Sequence, residues 1–68
     1  MSILIYAEYA EGKFKKVAFE LASYAKKVAE TLGTTVTAVT VNAGDVSELS
    51  KYGVDKVLKV NNDKLSGF

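Results

Sequence analysis

The sequence predicts an α/β fold: a three-stranded parallel sheet in the order 3-2-1, with βαβαβ topology. Three observations point to it. A stretch from Phe14 to Leu32 has the period of an amphipathic helix; a short apolar run precedes it and a β-branched run follows; and the succession strand, helix, glycine, strand occurs twice, through Gly33 and again through Gly53. Parallel crossovers are right-handed in about 98% of cases, so two successive ones in the same direction set both helices on one face of the sheet. That is half of a doubly wound arrangement.

Residues 3–7 form the first expected strand. Ile3 and Ile5 point to one face and Leu4 and Tyr6 to the other, the two-sided apolar pattern of a sheet covered on both faces. The loop Glu8 to Lys13 carries the turn residue Gly12. The helix follows over 14–32, with Phe14, Val17, Ala18, Leu21, Ala25, Val28 and Leu32 expected to face the core. Lys15, Lys16, Glu20, Ser23, Lys26, Lys27 and Glu30 fall opposite them, and Gly33 supplies the left-handed ending. Tyr24 sits on the shoulder of the apolar stripe. Phe19 falls among the lysines, and because phenylalanine is costly to leave wet it is expected to touch another chain.

Residues 35–41 (Thr-Val-Thr-Ala-Val-Thr-Val) are the clearest strand, dense in β-branched side chains. Asp45 and Glu48 have capping-box spacing and predict a short helix over 46–52, with Val46, Leu49 and Tyr52 inward and Gly53 closing it. Residues 56–60 form the third strand, where Lys56 and Lys59 suit a sheet edge. Asn61, Asn62 and Asp63 predict a cap for a further helix starting near Lys64. With both helices on one side, the second face of the sheet and the free edge of the first strand are expected to be bare. The sequence therefore reads either as the first part of a longer polypeptide or as a chain that covers itself with a second copy.

Sixty-eight residues allow one small partial domain, 1–68, with little margin for a self-sufficient core. A net charge of +1 gives no field to draw nucleic acid or an anionic membrane. The chain has no cysteine and no histidine, which removes thiolate chemistry and the commonest metal ligand and near-neutral base. No run approaches the ~18 apolar residues of a membrane span. Glu8 interrupts the apolar start too early for a signal peptide, so a cytoplasmic or matrix-like, non-secreted protein is expected.

Motifs that would carry chemistry fail one by one. Gly12-Lys13 is not a phosphate loop, because Ala7 stands at the earlier glycine position and Phe14 replaces the Ser/Thr. No G-x-G-x-x-G follows the first strand. Glu8 and Glu11 lie where open α/β sheets bind ligands, but they read as exposed loop carboxylates favoured by the helix dipole rather than as an acid/base pair. Ser2, Ser23, Ser47, Ser50 and Ser66 have no histidine to activate them. Asn61, Asn62 and Asp63 read as a turn rather than a metal site. Lys13, Lys15 and Lys16 with Lys26 and Lys27 read as a solvated helix face. The expectation is no catalytic, cofactor-binding or metal-binding residue within this chain, and therefore no enzyme.

The ordered set Ile3-Leu4-Ile5-Tyr6-Ala7-Glu8, Gly12-Lys13-Phe14-Lys15-Lys16, Leu32-Gly33-Thr34-Thr35-Val36-Thr37-Ala38-Val39 and Tyr52-Gly53-Val54-Asp55-Lys56-Val57-Leu58 resembles the amino-terminal start of electron-transfer flavoprotein alpha subunits. The resemblance covers nearly all of this chain but only the opening part of such a subunit. It implies a partial Rossmann-like domain, related in fold to the adenine-nucleotide alpha hydrolases. It also implies a heterodimer with a beta subunit that carries electrons from flavin dehydrogenases toward a membrane quinone oxidoreductase. FAD belongs to the carboxyl-terminal domain of alpha and AMP to beta, so no flavin-contacting residue carries over to this sequence, and the chain alone is expected to be inert. Two other readings stay open: a universal-stress-type nucleotide-binding module that uses the loop after the first strand, and a self-associating oligomerisation domain.

Overall fold

The computed structural model describes residues 2–61. The elements are β1 (Ser2–Tyr6), β2 (Tyr9–Ala10), β3 (Lys13–Phe14), α1 (Lys16–Leu32), β4 (Thr35–Val41), a 3₁₀ helix (Ser47–Tyr52) and β5 (Lys56–Val60). The expected further helix after Asn61 lies outside the described residues. β1, β4 and β5 form a parallel sheet in that spatial order, with Leu4 opposite Thr37 and Val39 opposite Leu58. This is the α/β, βαβαβ arrangement the sequence predicts, with β4 in the centre.

α1 packs on β1, β4 and the 3₁₀ helix, so both helices lie together on one side of the sheet. The core is the layer between them: Ile5, Val36 and Ala38 from the sheet meet Ala18, Ala22, Ala25 and Ala29 from α1, with Leu49 and Val54 closing one flank. Four alanines at steps of four, three and four make a smooth ridge that lets the helix approach the β-branched sheet surface closely.

That ridge corrects the expected helix face. Ala18 and Ala25 are buried as predicted, but Val17, Leu21 and Leu32 are exposed and Val28 is half-buried. The apolar arc of α1 is wider than one stripe, and the tight sheet contact selects its smallest residues; the larger ones sit about 100° away. Phe14 is also corrected. It is buried, but as the end of β3 rather than the first turn of α1, which begins at Lys16.

The segment expected as a plain loop is a hairpin. Tyr9 pairs with Phe14 and Ala10 with Lys13, and both turn residues have positive φ, Glu11 at 56° and Gly12 at 81°. Positive φ at both central positions is the type I′ signature, whose twist matches that of the flanking strands. Glu8 O accepts the Lys15 N–H at 3.0 Å and ties the base.

Both helices end the same way. Gly33 has φ 69°, its N–H donates to Glu30 O and the Thr34 N–H donates to Ala29 O; Gly53 has φ 94°, its N–H donates to Ser50 O and the Val54 N–H donates to Leu49 O. Each is a Schellman ending, which accounts for the repeat visible in the sequence. The start of the second helix departs from expectation. Six residues wind as 3₁₀ rather than α, and Asp45 does not cap across to Glu48; its Oδ1 accepts the Ser47 N–H at 2.9 Å, two residues on. A local turn of this kind competes with a helix cap and satisfies only one amide, which suits a short, tight helix.

Thr40 lies in the middle of the covered face, fully buried, and its Oγ1 is the one buried side-chain polar atom without a hydrogen-bond partner among the described residues. A buried hydroxyl left unpaired costs about 1–3 kcal/mol. Thr40→Val keeps the branched shape and is expected to raise the urea midpoint by an amount equivalent to roughly 1 kcal/mol. A lowered midpoint would mean that the hydroxyl has a partner in solution.

Candidate functional site

Ligands of open α/β sheets gather at the carboxyl ends of the strands, and here that end is occupied by the protein's own loops. The β2–β3 hairpin follows β1, and its Tyr9 ring stands edge-on to Phe14 at 5.0 Å between centroids. Tyr9 reaches across to the loop after β4: a Cβ placed on Gly44 would lie 3.0 Å from the Tyr9 hydroxyl oxygen. In that loop Asn42 takes φ 53° and donates its N–H to Val60 O at 2.7 Å, while Lys59 Nζ donates to Gly44 O at 3.0 Å. Asp45 is held below its ordinary carboxylate range, first by the Ser47 N–H and then by the Ser47 hydroxyl, with a smaller contribution from Lys59.

Glu8 and Glu11 are not brought together. Glu8 is half-buried at the base of the hairpin and Glu11 is exposed at its tip, three residues and about 10 Å along an extended strand. Among the described residues no group of three His, Cys, Asp or Glu side chains could hold a metal ion. The turn after β1 leads into the hairpin rather than straight into a helix, so the glycine-lined approach of a phosphate to α1 is absent.

Two grooves among the described residues lie between α1 and the 3₁₀ helix. Phe19 stacks on Tyr52 with ring centroids 4.6 Å apart and planes at 25°, and meets Phe14 edge-on at 6.1 Å. This corrects the expectation for Phe19: its partner is the same chain's second helix, which the helical wheel alone could not reveal. On one side of Tyr52 a groove of about 470 Å³ is lined by Lys26, Lys27, Glu30 and Lys51 among others; on the other a groove of about 440 Å³ runs over Lys16, Phe19 and Glu20. Both are open to solvent. Lys26 and Lys27 are neighbours on the helix and diverge by about 100°, so they do not converge on one anion. Of the lysines read as a solvated face, Lys13, Lys15, Lys16 and Lys27 are exposed, whereas Lys26 is half-buried with its stem beside Gly53.

Two residues have roles the sequence did not signal. Tyr9 seals the strand ends as described above; two aromatic residues flanking Glu11-Gly12 were the available hint. Asp55 grips Val36 twice, its N–H donating to Val36 O and its Oδ2 accepting the Val36 N–H, both at 2.9 Å. That clamp locks the entry of β5 to the start of β4, a structural rather than chemical duty for the most distinctive segment of the sequence.

No helix among the described residues is long and apolar enough to cross a membrane. Comparison with known proteins matches residues 3–68 to the electron transfer flavoprotein domain. The chain is 38% identical over 69 residues to the electron transfer flavoprotein subunit alpha of Clostridium acetobutylicum and 32% identical over 68 residues to protein FixB of Clostridium saccharobutylicum, in each case over 97% of this chain and 20% of the relative. It is 35% identical over 69 residues to the LctC subunit of the lactate dehydrogenase (NAD(+),ferredoxin) of Acetobacterium woodii, 97% of this chain and 16% of that protein. The chain thus spans about one fifth or less of the length of these relatives. With the match running along nearly its whole length, the chain belongs to the electron transfer flavoprotein domain family.

Proposed function

We propose that this chain is the scaffold and subunit-contact part of an electron-transfer flavoprotein alpha subunit, an electron carrier rather than an enzyme. In the whole assembly, electrons pass from flavin dehydrogenases toward the quinone pool; the flavin is held by polypeptide outside residues 2–61 and a beta subunit packs alongside. One observation carries this reading: the sheet is finished on one face only. Leu4, Tyr6, Leu58 and Val60 are exposed on the face opposite α1, beside half-buried Val39 and Val41. A row of large apolar side chains on a parallel sheet marks a surface built to be covered, and relatives about five times as long have the polypeptide to cover it. We place the protein in the cytoplasm or a matrix-like compartment. By itself the 68-residue chain is redox-inert and reduces its exposed apolar area by self-association.

The test is a titration of FAD, ATP and AMP into the purified 68-residue chain. No saturable heat is expected from any of the three. Micromolar binding of ATP or AMP would replace this reading with a nucleotide-binding module of the universal-stress type, and stoichiometric FAD binding would place the flavin on these residues after all.

A further inference from the structure

We draw no further inference here: the strongest candidate, the pair of solvent-open grooves on either side of Tyr52 between α1 and the 3₁₀ helix, lined by Lys16, Phe19, Lys26, Lys27 and Lys51 among others, carries nothing because its lysines do not converge on one anion and nothing in the structure shows what covers it.

Discussion

Replacing Leu49 by alanine is expected to destabilise the chain by about 2–5 kcal/mol, the usual cost of removing a fully enclosed leucine. Leu49 is the largest side chain with no solvent exposure and belongs to the core cluster with Val54 and the alanines of α1. Its carbonyl also accepts the Val54 N–H that ends the 3₁₀ helix. Alanine keeps that backbone bond but opens a cavity among alanines, which have no side-chain length with which to fill it. A chain of this size has a net stability of about 3–10 kcal/mol, so the variant should be largely unfolded at 37 °C by circular dichroism. A urea midpoint within experimental error of the wild type would mean that the 3₁₀ helix does not seal the core.

The second large effect is at Gly53, and Gly33 is its internal control. Both have positive φ, 94° and 69°. A Cβ on Gly33 meets nothing within 4 Å; on Gly53 it would lie 2.6–2.8 Å from Cγ, Cβ and Cδ of Lys26. Gly33→Ala should therefore cost only the left-handed strain of an alanine, about 1–2 kcal/mol. Gly53→Ala adds an overpacking cost of about 1–3 kcal/mol, for a total of roughly 2–5 kcal/mol. Adding Lys26→Ala to Gly53→Ala should recover part of the loss and no more, because the Lys26 Cβ remains in the way. Equal denaturation midpoints for Gly33→Ala and Gly53→Ala would show that the lysine stem moves aside freely.

How much of this was legible depended on what each element needed from its side chains. β4 and β5 were read to the residue because β-branched and apolar residues bounded by Gly33 and Gly53 leave few alternatives. The parallel order followed from helix-length connections and the handedness of crossovers. The hairpin was missed because strands of two residues have no period to detect and Glu11 is an unusual companion for Gly12 at a two-residue turn. The helix was found but turned by one position: Val17, Leu21 and Leu32 outweigh Ala22 and Ala29 in hydropathy, yet close packing against a sheet rewards small volume. Phe19 and Asp55 were unreadable for a simpler reason, since each acts on a partner in a different element, 33 residues away for Tyr52 and 19 for Val36. The family resemblance rested on ordered segments, and the comparisons bear it out.

Every hydrogen bond of the main sheet joins distant parts of the chain. Ser2 pairs with Thr35 and Thr37 with Lys56, so the shortest excursion that closes a strand pair contains a complete helix. Among the strand pairs of the described residues, only the Tyr9–Phe14 hairpin forms from neighbours. Along the growing chain β1 therefore stays without a strand partner until β4 follows α1, and β5 joins last. The β1–α1–β4 unit can close once Val41 is present, and β5 then adds to an edge already formed.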